Sequence, residues 1–401
     1  MRKMNKVIRN LFCLAIIVLL LPASSGQDFT GVIPGLKQLP ALDWAKEGTR
    51  MSYYSATAVI PGAYEKFILD EEGDWVGVQS GKHYRREDIS GAAGHGVTQV
   101  DVLSIEQGIS ALKVNSWLYS SFTGPLVPIN QGAYICPAAG GDWYINPQAL
   151  ANLQDSRNGG VTILRMPYTV NGVTYNAIRI QQESETSTFA HIYDMSDGKL
   201  LATFNSAMSA DKKSTMFAYA TLLGVRQMNL PWLGQNPPDW IKQGTVLHFD
   251  GTKTIEAKLA SYSFPTAVSL DMKITGVGQR YYTYSQTGSI SASGFPTQYG
   301  GDSQVGGIGQ PGGLALPPSA LATLQTGQVI DEDNVTGITV SVKEIGQDSK
   351  GRNTVVLQAA NQAYSADVTY DKDTGMMMEL SDSKLGIDSN EYTDLKLAQT
   401  S

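Results

Sequence analysis

The 401-residue chain carries 37 acidic against 30 basic side chains, a net charge of −7, and its Lys and Arg are scattered rather than clustered. This argues against a nucleic-acid partner, because phosphate-backbone binding needs a concentrated basic surface. An apolar content of 42% and a charged content of 17% are those of a globular protein, and the length implies two or three domains, each able to bury a core.

The first 26 residues read as a signal peptide. Arg2, Lys3, Lys6 and Arg9 form a basic start, residues 11–21 are continuously apolar, and Pro22-Ala23-Ser24-Ser25-Gly26 offers small residues for cleavage. The apolar run is about half of the ~20 residues a spanning helix needs. No other stretch approaches it, so the mature chain is expected to have no transmembrane segment and to be secreted or periplasmic. Cys13 leaves with the leader, and Cys136 alone makes no intramolecular disulfide.

Residues 27–42 form an N-terminal arm, with Pro34 and Pro40 opposing a long helix. A β-rich domain spans 43–228. Aromatic and β-branched residues predict strands over 50–60, 74–78, 97–105, 111–122, 161–166, 173–182, 188–193 and 200–204. Pro147 and the Ala-Leu run behind it predict a helix closed by Asn158-Gly159-Gly160, and Asn171-Gly172 and Asp197-Gly198 predict hairpin turns. Pro231, Pro237 and Pro238 mark 229–238 as a stiff linker. A second β-rich domain spans 239–385, with strands over 246–249, 254–259, 268–275, 280–284, 337–344, 353–359, 366–370 and 376–380 and a helix opened by Pro317-Pro318. The polar end, 386–401, is expected to be a fraying tail.

The two domains repeat one another. Asp43-Trp44-Ala45-Lys46-Glu47-Gly48-Thr49 returns as Asp239-Trp240-Ile241-Lys242-Gln243-Gly244-Thr245. Ala149-Leu150-Ala151-Asn152-Leu153-Gln154 returns as Ala320-Leu321-Ala322-Thr323-Leu324-Gln325, and Tyr193-Asp194 with Gly198 returns as Tyr370-Asp371 with Gly375. Three blocks in the same order imply an internal duplication. Trp240 follows Trp44 by 196 residues but Ala320 follows Ala149 by 171, which places about 25 extra residues in the first copy, between Pro61 and Thr98. The fold class is therefore mainly β: two tandem homologous antiparallel domains, each with one short helix packed on a curved sheet. In outline this is similar to the lipoprotein-carrier half-barrels of bacterial envelopes, which follow a leader and cover a concave sheet with helices. The likeness is one of class and size and carries over no residues.

Candidate ligand or interaction residues are Trp44 and Trp240, His83 and His95 in the first-copy insertion, and Tyr299 in the stretch 294–313, which holds eight glycines. A pattern needed in both halves favours architecture for the tryptophans. His83, Glu87, His95 and Asp101 are the nearest approach to a metal set, but the two histidines are spaced too widely for a zinc motif. Asp331-Glu332-Asp333-Asn334 and Asp371-Lys372-Asp373-Thr374-Gly375 resemble calcium loops without the closing Glu, and a turn explains the latter better. Gly-x-Ser-x-Gly is absent, and Ser-x-x-Lys occurs at Ser110, Ser209 and Ser381 without a Lys-Thr-Gly partner. No motif calls for a cofactor. The leading function is an exported non-catalytic binding protein for an unknown ligand or protein partner, its site a concave apolar surface, as in an apolar-ligand carrier, or the groove between the domains. The alternatives are an extracytoplasmic hydrolase, with its site in the first-copy insertion and the Gly-rich stretch, and a structural envelope component.

Overall fold

The structure, a computed structural model, describes residues 33–401 except 71–72, 86–93, 120–123, 259–261, 293–294, 311 and 387–388. The stretch 1–26, expected to be a signal peptide, lies outside the described residues. The first domain has strands β1 (Thr49–Pro61), β2 (Phe67–Leu69), β3 (Trp75–Gly77), β4 (His83–Tyr84), β5 (Gly94–Glu106), β6 (Ile109–Tyr119) and β7 (Leu126–Pro137). Helix α1 (Pro147–Ala151) follows, then β8 (Ser156–Asn158), β9 (Val161–Val170), β10 (Val173–Glu183), β11 (Ser187–Asp194), β12 (Leu200–Met208) and β13 (Ser214–Gln227). The second domain has β14 (Val246–Ala257), β15 (Tyr262–Val277), β16 (Tyr281–Ala292) and β17 (Phe295–Gly307), then α2 (Pro318–Leu321). It closes with β18 (Val329–Asp333), β19 (Ile338–Gln347), β20 (Asn353–Ala360), β21 (Tyr364–Asp371), β22 (Met377–Leu385) and β23 (Ser389–Thr400).

Each domain is one ten-stranded antiparallel sheet. The orders are β7-β6-β5-β1-β13-β12-β11-β10-β9-β8 and β17-β16-β15-β14-β23-β22-β21-β20-β19-β18, the same path through space. The extra strands β2, β3 and β4 form a small sheet in the β1–β5 connection, which is where the spacing of the repeated blocks placed the insertion. Both large sheets are curved, for a simple reason. Strands β6 and β11 stand five places apart, about 24 Å if the sheet were flat. Yet the Tyr144 hydroxyl meets Ser110 on β6 at 2.6 Å, and Tyr193 on β11 bonds the carbonyl of Asp142 at 2.9 Å. The second sheet wraps its own plug in the same way: Tyr282 on β16 accepts from Leu314 N and Tyr370 on β21 donates to Gly313 O.

The repeated blocks explain why both copies adopt this path. Trp44 Nε1 donates to Asp197 O at 2.8 Å, and Trp240 Nε1 donates to Thr374 O at 3.0 Å. Gly48 N and Gly244 N bond Val102 O and Ile274 O, with φ of 83° and 98° that only glycine adopts cheaply. Ile145 N and Leu316 N bond Gly198 O and Gly375 O. Each tryptophan thus ties the domain entrance to the β11–β12 or β21–β22 turn and the plug.

Several expectations need correction. Helix α1 ends at Ala151, because Gly159 and Gly160, at φ 59° and 79°, make the β8–β9 hairpin instead of a helix stop. Each short helix packs on its curved sheet as expected, through Ala149 and Leu150 or Ala320 and Leu321, and plug side chains such as Trp143, Tyr144 and Leu316 fill the concave face beside it. Most of the Gly-rich stretch is strand β17: a Cβ on Gly306 would lie 2.3 Å from the Tyr282 ring and one on Gly309 2.4 Å from the Trp232 ring, so these glycines serve close packing. The stretch expected to fray contains β23, the equivalent of β13, paired on both sides with β14 and β22. Its polar residues alternate with the core residue Leu395 and with Leu397, and its backbone ladder compensates for the weak apolar signal. The Pro-rich segment 229–238 also contributes to the second core, through Leu230 and Trp232. Leu36, eight residues before Trp44 as Trp232 is before Trp240, occupies the first core in the same way.

The two copies differ on their outer faces. In the second domain this face carries His248, Asp271, Lys343, Asp367 and Lys396, partly exposed and ion-paired, the usual state of a one-sided antiparallel sheet. In the first domain it is buried twice over. Phe67, Trp75 and Tyr84 of the small sheet cover Phe204 and Phe217, and the second domain covers strands β1, β5 and β6.

Candidate functional site

On the outer face of the first sheet, the register sets Arg50, Asp101 and Lys113 in one row and Ser52, Gln99, Asn115 and Gln131 in the next. They alternate with core residues Met51, Val100, Val102, Leu112 and Val114. Such positions ordinarily face water, but Gln99 is 0% and Asp101 3% exposed. The second domain brings Asp331 and Asp333 from β18 onto them. Asp333 accepts from Arg50 at 2.8 Å, Gln99 at 2.9 Å and Arg226 at 3.1 Å, and from the backbone of Val335 and Thr336. Asp101 pairs with Arg50 through both carboxylate oxygens, at 2.7 and 2.8 Å. Arg226 holds Asp331 with two bonds. Burial alone would raise the Asp333 carboxyl, but the charge of Arg50 and the bonds it accepts hold it well below the usual carboxylate range. A second tie lies at Glu106, whose carboxylate accepts from Gln279 N and Arg280 N of the β15–β16 turn.

Beside this network the domains enclose a cleft of about 130 Å³. Its floor is the concave face of the second sheet, with Ile338, Val340, Ala359 and Tyr364. Its roof is the outer face of β6 and β7, with Lys113, Asn115, Trp117 and Gln131. The Trp117 ring packs into the second core and meets Tyr364 edge-on at 6.0 Å, so the first domain completes the core of the second. Two donors in the roof are unspent among the described residues. Trp117 Nε1 is buried without a partner. The Lys113 ammonium makes no hydrogen bond or ion pair, since Asp101, its row neighbour, is occupied by Arg50 and Asn115. Burial pulls Lys113 down to about 8, against the pull of Asp101 in the other direction.

The structure places the residues picked out from sequence elsewhere. Trp44 and Trp240 hold turns, as described. His83 is exposed on β4, 3.7 Å from Asp70. His95 lies at the start of β5 between Tyr54 and Tyr119, beside a recess of about 10 Å³ on the far side of Trp117. Tyr299 sits on β17 opposite Gly288, its side chain outside the described residues, as is Glu87. Asp101 of the metal-like set is committed to Arg50. Among the described residues no group of three His, Cys, Asp or Glu gathers as a metal site, and no helix is long and apolar enough to cross a membrane. Sequence reasoning passed over Lys113, Asn115 and Trp117 because alternation on a strand reads as a solvent face. Only the partner surface, distant in sequence, shows them to be enclosed.

No protein-family model matches the chain, and no curated protein matches it in sequence. Among solved structures it is similar to a protein with unknown function from the DUF3598 family of Nostoc punctiforme, at 9% identity over 88% of this chain and 96% of that one, with a TM-score of 0.14. A putative AttH from Nitrosomonas europaea matches at 10% identity over 91% and 98%, with a TM-score of 0.15. Transferrin Binding Protein B from Haemophilus parasuis matches at 7% over 88% and 78%, with a TM-score of 0.12. At these scores the likenesses carry no argument, and the description of the chain as two tandem β domains stands on its own strands.

Proposed function

We propose that the chain is a non-catalytic binding protein, acting outside the cytoplasm, whose ligand site is the cleft between its two domains. The observation that carries this reading is the enclosed roof of β6 and β7, where Lys113 and Trp117 keep unspent donors over an apolar floor. Away from the cleft the concave faces are packed with plug side chains, which favours the groove between the domains over a wholly apolar interior as the binding place. The two segments that a hydrolase site would use have structural employment: the insertion covers Phe204 and Phe217, and Gly306 of β17 and Gly309 just after it back onto Tyr282 and Trp232. The leader at 1–26 supports export.

Substituting Ala359→Trp fills the cleft from the floor while leaving the ion network intact. Native mass spectrometry of the whole chain after exposure to a small-metabolite library is expected to give adducts that this variant loses. Equal adducts in both proteins, with matching circular dichroism, would place the binding site elsewhere.

A further inference from the structure

The geometry points to a small organic acid as the ligand of this cleft, its carboxylate on the Lys113 ammonium and its carbon frame on Ile338, Val340 and Tyr364. This rests on the cleft being the binding site. Three observations carry it. The first is charge. Arg50 and Arg226 are consumed by Asp101, Asp331 and Asp333, whereas Lys113, directly across the ladder from Asp101, has no partner within ion-pair distance among the described residues. A half-buried ammonium that Asp101 attracts without contacting is poorly compensated, and a carboxylate entering the cleft supplies a direct partner. The second is polarity. The roof is polar and the floor apolar, so the site suits an amphiphilic molecule with one charged end. The third is size. An apolar cavity of about 150 Å³ takes one benzene, a molecule of six heavy atoms, so about 130 Å³ admits an acid no larger than butanoate.

The site also carries a pH signature. Lys113 is drawn down to about 8 by burial, so its charge is lost as pH rises from 7 to 9.5, and affinity for an acid falls with it. The charged and titratable groups sharing the cleft are Glu47, Arg50, Asp101, Asp331 and Tyr364. The slope is therefore assigned to Lys113 by its disappearance in a Lys113→Met variant.

The test is isothermal titration of the whole chain with propanoate and butanoate against propanamide and butanamide, in wild type, Lys113→Met and Ala359→Trp. The acids are expected to bind wild type roughly tenfold to hundredfold more tightly than the amides, the range for a hydrogen bond to a charged group. Lys113→Met should erase that preference and the pH slope, and Ala359→Trp should abolish binding of both. Thermal melts confirm folding, and Lys113→Arg, which keeps the charge, should keep the preference for acids. Amides binding as well as acids, acids indifferent to Lys113→Met, or no binding of either acid would each overturn the acid assignment. Acids that bind Ala359→Trp as well as wild type would instead overturn the cleft as the site.

Discussion

Replacing Asp333 by alanine is expected to destabilise the protein by about 3–5 kcal/mol, the range for breaking a buried ion pair from one side. The magnitude follows from what is left behind. The Asp333 side chain is 1% exposed and serves Arg50, Arg226 and Gln99 together. Its removal strands the Arg50 Nη1 and the Gln99 amide in a dry interface, whereas Arg226, partly exposed, keeps Asp331. Urea unfolding gives the cost. The pH dependence has a definite sign. The carboxyl is held well below the ~3.9 of a free aspartate, first against burial and then by Arg50 and its hydrogen bonds. Its contribution is therefore complete above about pH 4 and is lost as pH falls below that towards the depressed folded value. The stabilities of wild type and Asp333→Ala should converge on acidification. A constant gap down to pH 2 would contradict the assignment.

Trp117→Ala has the second large expected effect, about 3 kcal/mol, toward the lower end for a buried Trp→Ala change because the ring is only partly buried. Its location is more telling than its size. Trp117 belongs to the first domain by chain and to the second by packing, since its ring sits against Tyr364 and the second core. Hydrogen exchange should therefore lose protection on β19, β20 and β21, far away in sequence, while the inner side of β5 and β6 keeps its protection through Val100, Leu112 and Val114. Loss confined to β5, β6 and β7 would mean that Trp117 is only a first-domain residue.

The duplication was legible because its signals are short-range and obligatory. A glycine at positive φ before the first strand, and a tryptophan whose indole reaches the same turn in each copy, cannot drift without losing the fold. The first-copy insertion was legible from the difference in spacing. Strands β7, β13 and β23 were not. β7 is an edge strand that tolerates Pro128 and Gly132. β13 is buried on both faces over Phe217 to Ala220, so its apolar residues do not alternate. β23 is stabilised chiefly by backbone pairing. The cleft was the least legible part. Its roof is a row of polar residues that any single-sheet reading assigns to water, and its floor comes from strands more than 200 residues later.

The dependence of the second domain on the first is tested most directly by producing residues 33–228 and 229–401 separately and following thermal unfolding of each. The outer face of the first domain is mostly polar at Gln99, Asp101, Lys113 and Asn115, so 33–228 should unfold cooperatively alone. Without Trp117 over Tyr364, 229–401 should bind a hydrophobic dye, unfold without a sharp transition, and recover both order and cooperativity when 33–228 is added. A fragment 229–401 that unfolds alone as sharply, and at the same temperature, as it does within the whole chain would contradict this.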